Sequence, residues 1–118
     1  MNEIPPKQGE GVLFLSIRDL GVLHASYMPF IKHGGLFVPT HRTHQLGDEI
    51  FILLHLMNEP ERFPIVGKVV WITPLHAESH KPQGIGIQFA GEEGRVIKER
   101  IEVYLAGFKD SERPTQTC

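Results

Sequence analysis

Ile65-Val66-Gly67-Lys68-Val69-Val70-Trp71-Ile72-Thr73, followed after a loop from Pro74 to Gln83 by Gly84-Ile85-Gly86-Ile87-Gln88-Phe89, decides how this chain is read. The first segment is rich in β-branched residues and shows no helical period, so it is read as a long strand. In the second, Ile85, Ile87 and Phe89 fall on one face, and two glycines and Gln88 fall on the other. That is the two-residue period of a half-buried strand. The same alternation places Trp71 with Val69 and Thr73, opposite Lys68, Val70 and Ile72.

Upstream, the short strands continue. Val12-Leu13-Phe14-Leu15-Ser16-Ile17-Arg18 alternates, with Leu13, Leu15 and Ile17 opposed to Ser16 and Arg18. Asp19-Leu20-Gly21 is a turn signal. Val22 to Met28 resumes the alternation, with Leu23, Ala25 and Tyr27 on one face, and Pro29 ends or bends it. Gly34-Gly35 predicts a turn, Leu36-Phe37-Val38 a short strand closed by Pro39, and Leu46-Gly47-Asp48 another turn. Ile50 to Leu56 is apolar on both faces for most of its length, which fits a central strand, and Asn58 to Arg62 is a polar hairpin or loop. Downstream the period changes. Val96, Ile97, Ile101, Tyr104, Leu105 and Phe108 recur at spacings of three and four, opposite Arg95, Lys98, Glu99 and Glu102. This predicts one amphipathic helix over about 94–107, ending near Gly107.

Six strands and one helix make the chain mainly β. They predict a six-stranded antiparallel barrel over 11–90, with the C-terminal amphipathic helix covering an opening or flank. Residues 1–10 are read as a flexible leader, 11–109 as the single domain, and 110–118 as a mobile tail without an apolar anchor.

Bulk properties exclude several classes. The 118 residues carry 12 basic and 14 acidic side chains, a formal net charge of −2, so no field of one sign draws a nucleic acid. Cys118 is the single cysteine, and MNEIPPKQGEG lacks the apolar stretch of a signal peptide; a cytoplasmic location is expected. The longest apolar run, Ile50 to Leu54, is too short to span a bilayer, so no membrane insertion is expected. Among the seven histidines, His41-x-x-His44 and His76-x-x-x-His80 have zinc-like spacing, but no cysteine pair supports them and they fall in loops. No metal or cofactor is expected. Asp48-Glu49 and Glu92-Glu93 fall in turns, the serines lack a nucleophile-elbow context, and Cys118 has no base beside it, so no catalytic residue is assigned.

The closing strand pair, Gly67-Lys68-Val69-Val70-Trp71 and Gly84-Ile85-Gly86-Ile87-Gln88-Phe89, together with the turn Gly34-Gly35-Leu36-Phe37, resembles PilZ domains. Tyr27-Met28-Pro29-Phe30-Ile31-Lys32 and the Leu105-Ala106-Gly107 ending, with its Ser-x-x-Pro-Thr-x-Thr tail, resemble the type IV pilus assembly branch of that family. The resemblance runs from about Gly11 to Thr117. It implies a receptor fold for cyclic di-GMP, gripped by an RxxxR segment before the first strand and a (D/N)xSxxG turn. Guanidinium planes stack on guanine and bind phosphate, and the Asp or Asn and the Ser contact the guanine edge.

Set against those motifs, the leader has no arginine and its sole cation is Lys7. In the turn, Phe30 stands at the Asp/Asn place, Lys32 at the Ser place, and only Gly35 is kept. At roughly 1.5–3 kcal/mol per charge-assisted contact, losing two arginines and two polar groups costs on the order of 6 kcal/mol, about four decades of affinity. No direct cyclic di-GMP binding is expected.

The pilus branch implies a non-enzymatic adaptor for pilus biogenesis and twitching motility. Its implied partners are the pilus extension ATPase and, in some bacteria, an EAL-domain cyclic di-GMP receptor. Candidate partner contacts are Tyr27, Met28, Pro29, Phe30, Lys32 and Trp71, with Pro114 and Thr115 on the tail. Trp71 and Phe30 read equally as core or as exposed anchors; Tyr27 and Phe30, flanking a proline at a strand end, lean to the surface. The alternative is a cyclic di-GMP receptor using a non-standard basic set, Lys32, Arg42 and Lys68.

Overall fold

The computed structural model describes residues 12–74 and 83–117, with side chains as far as Phe108. Five strands form one sheet: β1 (Val12–Ile17), β2 (Gly35–Pro39), β3 (Glu49–Leu56), β4 (Phe63–Ile72) and β5 (Gly84–Ala90), in the order β1-β3-β4-β5-β2. The sheet curls into a half-barrel rather than a closed six-stranded barrel. It is also not wholly antiparallel, because β1 pairs parallel with β3 while the other three pairings are antiparallel.

The sixth expected strand is a helix, α1 (Leu20–Ser26). Asp19 decides this. Its carboxylate accepts the Val22 N–H at 3.0 Å, and its carbonyl accepts the Leu23 N–H at 2.9 Å, which starts a helical turn. Over so short a stretch the apolar spacing serves both periods. Leu23 and Tyr27 are two alternate steps apart in a strand and one turn apart in a helix, and it is these two, not the exposed Ala25, that are buried.

The second helix, α2 (Gly91–Thr117), begins earlier and ends later than expected. Gly107 does not stop it: its backbone stays out of the left-handed region that a terminating glycine adopts. Residues 110–117, expected as a tail, are helical backbone. The leader, His76, His80 and Cys118 lie outside the described residues.

One core unites these parts. Leu13 and Ile17 of β1, Ile50 to Leu56 on alternate positions of β3, Ile65 and Val69 of β4, and Ile85, Ile87 and Phe89 of β5 all point inward. Ile97, Ile101 and Leu105 of α2 are buried in the same cluster, and α2 packs on β4 and β5. The helix thus covers the concave side of the sheet that a closed barrel would seal with more strand. β3 is a central strand, as its two apolar faces predicted. No helix among the described residues is long and apolar enough to cross a membrane.

Candidate protein-docking site

The loop from α1 to β2 is built by its own backbone. The Met28 N–H donates to the Gly35 carbonyl at 2.9 Å, Ile31 N–H to the Met28 carbonyl at 3.3 Å, and Gly34 N–H to the Ile31 carbonyl at 2.7 Å. The Phe89 N–H of β5 donates to the Gly34 carbonyl at 3.0 Å, which ties the turn to the sheet. The left-handed residues are His33, with φ 70°, and Gly34, with φ 80°. Gly35, expected as the kept glycine of the ligand frame, is not among them. It is needed for a different reason: a Cβ there would sit on the Ile87 carbonyl oxygen, well inside contact distance.

This geometry pushes Phe30 out. Its side chain is 79% exposed at the tip, flanked by exposed Pro29 and Lys32. The Gln88 side-chain amide donates to the Lys32 carbonyl at 2.9 Å and props that flank on β5. Tyr27, expected as an exposed anchor beside Phe30, is only 8% exposed and belongs to the core. Its hydroxyl donates to Glu102 of α2 at 2.6 Å. Burial pushes the phenol well above its usual range, and the hydrogen bond and negative charge of Glu102 add to the shift. The same bond, joined by Lys98, holds the Glu102 carboxyl below the ordinary carboxylate range against some desolvation.

Trp71 is on the outer face, 42% exposed. Simple alternation put it with Val69 and Thr73, which are buried. A bulge between Val69 and Trp71 inserts one residue and turns the indole outward. In the repaired register Trp71 pairs with Gly86, and Gly86 with Phe37. The Trp71 and Phe37 rings meet at 6.1 Å. The missing side chains of β5 make room: a Cβ on Gly86 would come within 3.1 Å of the Met28 thioether and 3.2 Å of Trp71. Met28, Phe37 and Trp71 therefore lie over a glycine floor.

A second outer patch was not read from the sequence. Pairing aligns Val12 with Phe51 and Val66, and Phe14 with Leu53 and Pro64. Phe14 is 75% and Phe51 46% exposed. The signal was present: in β1, Val12 and Phe14 share the face of Ser16, so two apolar residues stand where a solvated face expects polar ones. A polar row, Glu49, Lys68 and Gln88, lies across the sheet between the two patches.

Of the cations of the alternative reading, Lys32 and Lys68 both lie beside Gln88, and Arg42 lies apart from them. Lys68 pairs with Gln88, whose amide reaches Lys32. Arg42 instead lines a cleft of about 330 Å³ with Gln83 and Gly84, at the opposite end of β5. A cleft of about 610 Å³ between the turn and α2 is lined by His33, Phe89, Gly94, Arg95 and Lys98. There Arg95 is bridged to Glu92 and Glu99, and Lys98 to Glu102. His44 of the zinc-like pair sits 3.2 Å from the Arg42 carbonyl, and no group of three or more metal-ligating side chains is assembled among the described residues. Pro114 and Thr115 fall within the helical backbone of α2, and their side chains lie outside the described residues.

Residues 12–107 match the model of the family described as PilZ domain. No curated protein matches the chain.

Proposed function

The chain belongs to the PilZ domain family, whose proteins are generally non-enzymatic adaptors or receptors, and we propose that this member is an adaptor for protein docking rather than a nucleotide sensor. Its role is in type IV pilus biogenesis and twitching motility. It binds the pilus extension ATPase and an EAL-domain cyclic di-GMP receptor, and does not itself bind cyclic di-GMP. One observation carries this reading. Where the family's turn grips a guanine with polar groups, this chain exposes 79% of a phenylalanine. Exposed aromatics of this kind anchor protein interfaces, not charged dinucleotides. The Trp71, Phe37 and Met28 cluster supplies a second apolar contact over Gly86 of β5, the strand that props the turn.

Two measurements test the proposal. Isothermal titration with cyclic di-GMP is expected to give no binding; tight one- or two-site binding overturns it in favour of the receptor reading. Pull-down of the pilus extension ATPase is expected with the wild-type chain and is expected to weaken about thirtyfold or more in Phe30→Ala, the loss of a typical aromatic anchor. A wild-type chain that captures no ATPase removes the pilus assignment. Capture that survives both Phe30→Ala and Trp71→Ala moves the interface elsewhere.

A further inference from the structure

His33 and Gly34 hold left-handed backbone one after the other, at φ 70° and 80°. A histidine leaves that region readily when nothing holds it. Two attachments fasten this turn to α2. The Tyr27 hydroxyl at its start donates to Glu102 Oε2 at 2.6 Å, and Lys98 Nζ lies 3.2 Å from the same oxygen. The stem of Lys98 then runs along the far end of the turn, where a Cβ on Gly34 would come within 3.1 Å of its Cδ. One carboxylate thus aligns both ends. The helix does not need this link to stay folded, since Ile97, Ile101 and Leu105 seat it in the core independently.

We propose that Tyr27, Glu102 and Lys98 form a clamp through which α2 fixes the shape of the Pro29–Gly34 turn, making Tyr27 a positioning residue for protein docking at Phe30. The docking half of this statement rests on the adaptor reading; the clamp itself does not. Coupling of this kind is reciprocal: a partner that seats on the turn also tightens α2, and a change at the Glu102 face of α2 reaches the turn.

Amide hydrogen exchange on the free chain tests the clamp without a partner. In Tyr27→Phe the ring still fills its core position while the donor is gone. Exchange at Ile31, Gly34 and Phe89 is expected to quicken about tenfold, the ratio a charge-assisted hydrogen bond supports. Ile52 and Leu54 of β3 should keep their wild-type rates. Glu102→Gln should quicken exchange in the turn less than Tyr27→Phe, because its amide oxygen still accepts the phenol while the charge shared with Lys98 is lost. Glu102→Ala should quicken it at least as much as Tyr27→Phe, and the double variant should be no faster than Glu102→Ala. Unchanged exchange at Ile31 and Gly34 in Tyr27→Phe overturns the clamp, and so does equal acceleration at Ile52, which reports general loosening. ATPase capture is read separately. Tyr27→Phe should weaken it severalfold and Glu102→Gln less so. If Phe30→Ala leaves capture intact, the docking reading falls while exchange still decides the clamp.

Discussion

Replacing Gly35 by alanine tests why a glycine stands at this point of the turn. Its backbone is not left-handed, so alanine meets no conformational penalty of its own. The obstacle is space. The new methyl would fall on the Ile87 carbonyl oxygen and come within 3.0 Å of Ile31 Cδ1 and 3.3 Å of the Ile87 carbonyl carbon. A backbone carbonyl in the middle of β5 cannot swing away as a side chain end can, so β2 must lift from β5 at its first pair, Gly35 with Gln88. Overpacking of this kind costs about 1–3 kcal/mol. The Met28 N–H to Gly35 carbonyl bond, 2.9 Å long, is strained by the same shift. Its loss adds about 1 kcal/mol. The total of about 2–4 kcal/mol corresponds to a melting point lowered by roughly 8–16 °C for a domain of this size. Urea unfolding followed by far-ultraviolet circular dichroism reads it as a lower midpoint at unchanged slope. A Gly35→Ala chain within about 0.5 kcal/mol of wild type, the ordinary scatter of surface substitutions, refutes the reasoning. Confirmation would mean that this glycine is retained for the sheet, so its presence says nothing about a nucleotide.

Two further outcomes are expected. Gly107→Ala places a methyl in open space on a continuing helix, with nothing within 4 Å, and should raise stability by about 0.5–1 kcal/mol in the same unfolding assay; destabilisation would show that α2 does need a break there. Both tyrosines of the chain should resist ionisation in the folded state, Tyr27 chiefly through burial and Tyr104 chiefly through its hydrogen bond to Glu59. Their folded pKa values lie above the unfolded value, so the stability they contribute is whole below a pH of about 10 and is lost as pH rises from there toward the folded values. Phenolate absorbance that develops near pH 10 while circular dichroism is intact would contradict this.

The sheet was largely legible because β-branched runs and turn glycines are local signals. Ile50 to Leu56, Ile65 to Thr73 and Gly84 to Phe89 each form a strand close to the expected place. The exchange of a strand for α1 came from a window too short to separate the two periods, with Asp19 as the cue that separates them. Trp71 was misphased because a bulge leaves no mark in local composition; it is set by how β4 must bend to follow β5. Tyr27 and Phe30 look alike in sequence, two aromatics around a proline. One is buried because it follows Leu23 by one turn and joins the core, with its hydroxyl on Glu102 far along the chain, while the other stands at the tip of the turn.

What the sequence by itself determined was five strands, the amphipathic helix after them, and a turn that carries Phe30 and Lys32 ahead of two glycines. These depend on residue identity and short-range periodicity alone. Tertiary structure decided that β1 joins β3 in parallel, that Met28, Phe37 and Trp71 meet over glycines, and that Tyr27 and Lys98 share one carboxylate. Each of these brings together residues distant in the chain, and the energy that selects them is packing and hydrogen bonding between elements, which exists only once the sheet has curled around α2.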